Sequence, residues 1–383
     1  MSVVVIGGGI VGLASAYFLA RRGETVTVLE QSSLGAGSTD RANGGIRAQF
    51  TSPVSIRLSQ ESIAVWERFE ETFGVDIEYT RPGYLFLART AATAERLREN
   101  VGVQAEYGVP SQFLTPADAQ DVCPRLHADR YAGATYSPAD GFADPHLGLE
   151  GFATGAVDAG TDIRTNVAVT DVRFRDGRVQ GVETTAGSFE ADYVVNAAGA
   201  WGSRVAAMAG IDLPVTPKRR QLVVVDPEHD VPRDVPLTVD MDADSHFRPE
   251  RNGRAVVGGF FAEEDPPADP DAYTRSMDFD WAATALERVS AVAGYFGPES
   301  RIRRGWAGLY AVTPDHHPVI EETRPGFVNA VGFSGHGFMQ APATGQVVAE
   351  IVADGRASLV NVSMLRADRF ERGATLAEGT VID

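Results

Sequence analysis

The sequence predicts an α/β chain in which a helix-covered parallel sheet is interleaved with a second, α+β part built on an antiparallel sheet. Three observations carry that prediction. The apolar run Ser2 to Ile6 leads into Gly7-Gly8-Gly9-Ile10-Val11-Gly12 and then into helical spacing of Val11, Ala14, Phe18 and Leu19. A second buried-strand pattern, Tyr193-Val194-Val195-Asn196, runs into Ala197-Ala198-Gly199 much further along the chain. Between Pro214 and about Gly259 short strand patterns are separated by turn residues, as in an antiparallel sheet.

The elements follow in order. Ile10 to Arg22 reads as a helix and Thr25 to Glu30 as the next strand, which closes a βαβ unit at the start of the sequence. Residues 35–49 form a Gly-, Ser- and Arg-rich ordered loop, followed by a helix over about 53–73. Tyr84 to Ala88 is a strand, Ala91 to Tyr107 an amphipathic helix, and Pro145 to Gly160 another helix. Val167 to Val195 reads as three short strands, broken at Asp176-Gly177 and Ala186-Gly187. Gln221 to Val225 and Leu237 to Met241 are strands, with a hairpin across Arg251-Asn252-Gly253. Phe279 to Tyr295 is a helix, Val328 to Val331 a last buried strand, and about 342–354 a last helix. The final ~20 residues read as a peripheral tail.

Bulk properties narrow the function. A chain of 383 residues, 44% of them apolar, buries a large core and suggests two domains. A formal net charge of −18 argues against nucleic acid or anionic membrane as partners. No run approaches the ~18 apolar residues of a membrane span. Cys123 is the only cysteine, so no intramolecular disulfide forms, and the expected location is cytoplasmic. Lys218 is the only lysine. A GC-rich genome explains the preference for arginine, but acid excess together with scarce lysine also suits a halophilic protein whose self-repulsion is screened by salt.

The first glycine segment is a dinucleotide cradle. Gly7 permits the tight turn, Gly9 lets the backbone approach a pyrophosphate, and Gly12 allows close packing of helix on strand. The helix beginning at Ile10 and Val11 offers free N–H groups and the positive end of its dipole. Glu30, with Gln31 after it, is placed to accept hydrogen bonds from a ribose diol. The pattern alone does not separate NAD from FAD.

Further residues favour a flavin. The segment Gly35 to Arg47 supplies hydroxyls at Ser38 and Thr39, a cation at Arg41, and Asn43-Gly44-Gly45-Ile46 for close approach to a flat ring. A second glycine-rich turn, Gly332-Phe333-Ser334-Gly335-His336-Gly337-Phe338-Met339, precedes the last helix, whose N-terminus would stabilise negative charge on a reduced flavin. These segments, with Asn196 to Trp201, Arg304 to Tyr310 and Thr313-Pro314-Asp315, resemble the D-amino-acid-oxidase-like FAD-dependent oxidoreductases. Within them the chain is most similar to the sarcosine oxidase β-subunit, dimethylglycine dehydrogenase and dye-linked proline dehydrogenase branch. The resemblance runs nearly end to end, more loosely over about 80–140 and 225–300.

The resemblance implies a Rossmann-like FAD-binding domain of glutathione-reductase type (1–80, 145–215 and 320–383) interleaved with an antiparallel-sheet substrate domain (81–144 and 216–319). It implies cofactor contacts from Val167, Ala198, Gly199, Trp201, Gly308 and the Gly332 to Met339 turn. It also implies hydride transfer from a small amino acid to flavin N5, giving an imine. Arg47 is the candidate for the substrate carboxylate and Arg248 a second one; a solvated surface arginine is the alternative for both. His336 is expected beside the ring, as a base or a hydrogen-bond partner. Tyr310 stands where monomeric sarcosine oxidases have tyrosine and glycine oxidases have arginine, which favours secondary or N-methylated amines. A D-amino-acid dehydrogenase or glycine-oxidase-type enzyme is the runner-up.

Departures from the family pattern carry information. Gly308 replaces the cysteine that tethers flavin in monomeric sarcosine oxidases, so FAD is expected to be non-covalent. His146 lies near the position of a histidyl tether in some relatives, but reads as a helix N-terminal residue. Met339 replaces a carboxylate-binding lysine. Arg254 to Gly258 lacks the oxygen-activating lysine of the oxidases, which points to a dehydrogenase passing electrons to an acceptor protein or quinone. The branch includes heteromeric assemblies, so homo- or hetero-oligomers are both open. His316-His317 lacks a third ligand at compatible spacing, and no metal is expected.

Overall fold

The computed structural model describes residues 1–380. Its first sheet has six strands in the order Val319–Arg324, Phe327–Val331, Tyr193–Asn196, Ser2–Ile6, Thr25–Leu29 and Asp162–Arg164. Ser2–Ile6 pairs in parallel with both neighbours, Val4 opposite Thr27 on one side and Val194 on the other. Only the edge strand Val319–Arg324 is antiparallel to its partner. Side-chain alternation explains why Ser2–Ile6 is apolar throughout. Val3 and Val5 pack into the helical core, while Val4 and Ile6 pack with Val172, Val179 and Val182 of a three-stranded meander on the other face.

The helices on the first face are Ile10–Arg21, Pro53–Trp66, Pro145–Asp158 and Gly337–Asp354. Gly345 permits the closest helix contact, since a Cβ there would stand 2.6 Å from the backbone carbon of Ala14. Trp66, Phe69, Phe73, Phe152 and Phe338 form one aromatic cluster between these helices.

The second sheet has eight strands in the order Arg301–Val312, Thr216–Asp226, Ala255–Gly259, Ser245–Pro249, Leu237–Asp240, Tyr84–Ala88, Gly133–Ser137 and Gln112–Leu114. All pairs are antiparallel except Leu237–Asp240 with Tyr84–Ala88. Leu85 and Leu87 face a core covered by the helix Phe279–Ser290. Tyr84 and Phe86 point the other way and pack with Phe142, Leu237 and Val239.

Several element ends differ from the sequence reading, each for a local reason. The helix expected over 53–73 is two, Pro53–Trp66 and Phe69–Phe73, with Glu67 and Arg68 between them. The helix from Phe279 stops at Ser290, and Ala291 to Tyr295 turns to bond the backbone of Arg125 and His127. The last helix starts at Gly337, five residues before Pro342, which therefore lies inside it. Proline usually marks a first turn, and that preference misplaced the start. The turn at Asp176-Gly177 has positive φ at both residues (51° and 81°), as a tight hairpin requires.

The largest correction concerns the tail. The segment is anchored at Arg369 and again over 378–380, with 371–375 exposed between them. Arg369 forms a buried pair with Asp315, and Glu378 accepts from the amides of Thr51 and Ser52 and from the Thr51 hydroxyl. Thr380 reaches Arg47. The expected peripheral tail is thus tied down at these points by buried hydrogen bonds.

Candidate active site

A cavity of about 730 Å³ runs between the two sheets. At one end lie Glu30, Gln31 and Val167. Its middle is lined by Gly7, Gly9, Ile10, Val11, Ser38, Thr39, Arg41, Ala198, Gly199 and Trp201. At the other end are Asn43, Gly44, Gly45, Arg47, Gly308, Tyr310, Gly332 and the Gly335 to Met339 turn. Segments far apart in sequence thus meet in one elongated space.

The glycines at the first turn are sterically required. Gly7 has φ of 110°, and a Cβ on Gly12 would stand 1.9 Å from the Gly7 carbonyl oxygen. Gly12 therefore holds helix against strand without lining the cavity. The helix Ile10–Arg21 has no acidic residue in its first turn, so its N-terminal field is left for an anion. Thr39 Oγ1 accepts from the Ile10 amide at 3.1 Å, and the Glu30 carboxylate accepts from the amides of Gly8 and Ser32, both at 2.8 Å. Ser38 donates to the Leu309 carbonyl at 2.6 Å, which ties the phosphate-side loop to the second sheet. Arg41 turns its guanidinium onto the carbonyls of Ala36 and Gly37.

At the far end, the helix Gly337–Asp354 aims its N-terminus into the cavity, with His336 as its first flanking residue. Ser334 is held at φ of 48°, rare for a residue other than glycine, and its hydroxyl accepts from the Thr313 amide. Gly335 leaves room for Tyr310, whose ring would lie 2.4 Å from a Cβ at that position.

Arg47 is buried, 5% exposed, with its guanidinium 3.9 Å from the centre of the Phe50 ring. It bonds the Gln49 carbonyl, both oxygens of Thr380 (2.9 and 3.0 Å) and, at 3.4 Å, His336 Nε2. Among the described residues no carboxylate lies within ion-pair distance of it. Burial lowers its pKa, opposed first by the field of Glu378. His336 is held well below the usual histidine range, by burial first and then by Arg47, so it is neutral near pH 7.

Ile46 and Arg248 join Gly12 as the named residues that do not line the cavity. Ile46 is fully buried in the helical core. Arg248 donates from Nε to the carbonyl and side-chain oxygens of Asn43 (3.0 and 2.9 Å) and pairs with Glu250 at 3.1 Å. It braces the loop before Gly44, which corrects its expected position on the substrate. His146 is exposed on its helix N-terminus beside Asp40 and Asp144, away from the cavity. His317 is buried between Ser52 and the Asp315 carbonyl.

Sequence reasoning missed the part of the wall that the second sheet supplies: Tyr84, Phe86, Leu237, Val239, His246 and Arg220, together with Thr380. The alternation of Tyr84 and Phe86 against Leu85 and Leu87 was an available signal. His246 sits in the wall with Nδ1 buried and unpartnered, and burial pushes its pKa down to about 4. No lysine lines the cavity; Lys218 turns to Asp265 instead.

A family model described as FAD dependent oxidoreductase matches residues 2–351. The chain belongs to that family. This oxidoreductase is 32% identical to FAD-dependent oxidoreductase domain-containing protein 1 of Xenopus laevis, over 99% of the chain and 84% of the relative. It is 30% identical to mitochondrial sarcosine dehydrogenase of Mus musculus over 93% of its own length, but spans only 40% of that protein. Among solved structures it superposes on L-proline dehydrogenase from P. horikoshii with a TM-score of 0.90 and 32% identity, covering 98% and 99% of the two chains. Its architecture is therefore that of the FAD enzymes of this family, and FAD is its cofactor.

The residues present fit that group. The side-chain-free path at Gly7 and Gly9 and the helix N-terminus at Ile10 would take the pyrophosphate, and Glu30 the ribose. Gly44, Gly45 and the Gly335 to Met339 turn would take the ring. When bound, FAD supplies a two-electron acceptor for a hydride.

Proposed function

We propose that this enzyme oxidises a small amino acid at a CH–NH group, a secondary or N-methylated amine of the sarcosine, dimethylglycine or proline type. The observation that carries the reading is Arg47: a buried guanidinium at the ring end of the cavity, with no carboxylate among the described residues within ion-pair distance. A buried cation left in that state is unfavourable, and a substrate carboxylate relieves it. Tyr310 and Met339 line the same end and offer no second charge, which suits a substrate with one carboxylate and a small apolar amine.

In this reading Arg47 binds and orients the carboxylate, while Tyr84, Phe86 and Val239 exclude water from the reacting carbon. Neutral His336 accepts from Arg47 at Nε2 and orients that guanidinium, and the substrate nitrogen loses its proton to water before its lone pair forms the imine as hydride departs. The absence of lysine from the cavity wall supports a dehydrogenase that hands electrons to an acceptor protein or quinone. Gly308 and the outlying His146 support a non-covalent flavin, so acid precipitation should leave the yellow colour in solution. In the same reading residues 1–80, 145–215 and 320–383 form the FAD-binding part and 81–144 and 216–319 the substrate part. It also places the enzyme in the cytoplasm with a halophilic habit, the last tested by melting temperature in rising KCl.

The deciding experiment is anaerobic bleaching of the flavin band by sarcosine, dimethylglycine, L-proline, glycine and D-alanine. Bleaching by one of the first three is expected. Bleaching by D-alanine alone would overturn the substrate class, and rapid peroxide formation in air would overturn the dehydrogenase reading.

A further inference from the structure

The donors of Arg47 are already occupied, and the manner of occupation is informative. Nη1 donates to Thr380 Oγ1 at 2.9 Å and Nη2 to Thr380 O at 3.0 Å. One residue thus presents two oxygens to the two arms of the guanidinium, the arrangement that a carboxylate makes when it binds arginine in bidentate fashion. Thr380 also lines the cavity. The remaining arms meet the Gln49 carbonyl and His336, so no pair of donors is left for an incoming anion.

We propose that Thr380 is a specificity-determining residue of the substrate site: it stands in for the substrate carboxylate on Arg47, and the carboxylate must displace it to bind. The proposal rests on Arg47 being the carboxylate site. It selects for ligands whose anion outcompetes two neutral oxygens, and it holds neutral amines off.

The neighbouring residues make the displacement local. Glu378 is anchored by the amides of Thr51 and Ser52 (2.8 and 3.2 Å) and by the Thr51 hydroxyl (2.9 Å). Those bonds lie at the start of the helix Pro53–Trp66 and do not involve Arg47. Beyond Glu378, Gly379 is held by one bond from its amide to Thr51 Oγ1, and the Thr380 hydroxyl reaches Gln49 O at 2.8 Å and Glu378 Oε1 at 3.0 Å. Among the described residues, releasing Arg47 therefore requires the Gly379-Thr380 step to peel away while Glu378 stays anchored. Glu378 remains as a nearby negative charge that opposes the incoming anion, so it sets the threshold that the anion must exceed.

The test titrates the holoenzyme with acetate, reading the flavin spectrum, with acetamide as the neutral control. Thr380→Val removes Oγ1 at constant shape and should tighten acetate binding about tenfold; Glu378→Gln should also tighten it, by several-fold. In the wild type, saturating acetate should accelerate hydrogen exchange at Gly379. Weaker acetate binding in Thr380→Val, or exchange at Gly379 that is unchanged or slower, would overturn the displacement. Arg47→Met separates this from the function itself. Loss of acetate binding there keeps Arg47 as the carboxylate site even if Thr380 stays in place, whereas retained binding overturns both.

Discussion

His336 Nε2 lies 3.4 Å from Nη2 of Arg47, inside the protein. With a permanent cation that close, the imidazole accepts from the guanidinium and carries its own proton on Nδ1. Burial and the Arg47 charge both keep His336 neutral across the physiological range. The pH profile of kcat/KM should therefore lack an acid limb near the usual histidine pKa of ~6.5. The linkage has the same sign. A histidine whose pKa is depressed on folding gives stability that is complete above ~6.5 and declines as pH falls below it, because the unfolded chain protonates first. His336→Asn should flatten that decline in melting temperature. A rate limb at 6.5 that vanishes in this variant would show that the imidazole titrates in the active enzyme.

Arg47 should behave as a binding residue that does not stabilise the fold. Its charge is buried without a carboxylate at ion-pair distance among the described residues, and Phe50 and Phe86 flank it. Removing it strands no opposite charge, unlike the loss of one half of an ion pair, and its own desolvation cost disappears with it. Arg47→Met should raise KM for the amino acid by about a hundredfold, from loss of a charge-assisted pair worth roughly 3 kcal/mol. Its melting temperature should stay level or rise. A fall of several degrees with unchanged KM would assign Arg47 a structural role.

The two glycine turns were legible because each glycine answers a backbone constraint, as the 1.9 Å approach at Gly12 illustrates. The parallel sheet was legible for the same reason: strands buried on both faces read as unbroken apolar runs. Arg248 was misread because a strand arginine beside a glycine loop can either reach the cavity or brace the loop. The choice depends on Asn43, which lies 205 positions away. Thr380 was not legible at all. Nothing local distinguishes a threonine in a polar tail from one that closes a site, since its partners Arg47 and Gln49 are set by the path of the whole chain.

Arg369 and Asp315 form a buried pair, with Nε and Nη2 donating at 2.8 and 3.0 Å. The amides of His317 and Leu376 also donate to that carboxylate (both 3.2 Å), so it joins the tail to the turn before the edge strand. Burial alone would raise the Asp315 pKa, but the Arg369 hydrogen bonds outweigh it and hold the carboxyl below the usual range. Asp315→Ala leaves the buried Arg369 charge with only the Arg366 and His317 carbonyls and should cost about 3–5 kcal/mol. The wild-type contribution is complete above pH ~4 and is lost only as pH falls through the depressed pKa. Urea unfolding at pH 7 checks the magnitude; a loss under 1 kcal/mol would mean that solvent reaches the pair.

Asp140 works in the opposite sense. It is fully buried beneath the loop that carries Arg47, accepting from the Ala48 amide at 2.8 Å and from Gln49 Nε2 at 3.1 Å. Desolvation outweighs those bonds and raises its pKa to about 6. A carboxyl whose pKa rises on folding favours the folded state most below the unfolded value of ~3.9, and that advantage disappears as pH climbs through 6. The ionised form therefore lowers stability at pH 7 by about 3 kcal/mol relative to the protonated one. Asp140→Asn keeps an acceptor for the Ala48 amide and cannot ionise. The difference in melting temperature between variant and wild type should shift in favour of the variant between pH 4 and 7 and level off above. A difference that does not change with pH would mean that Asp140 keeps one ionisation state throughout, with Arg47 and the backbone amide together compensating its burial.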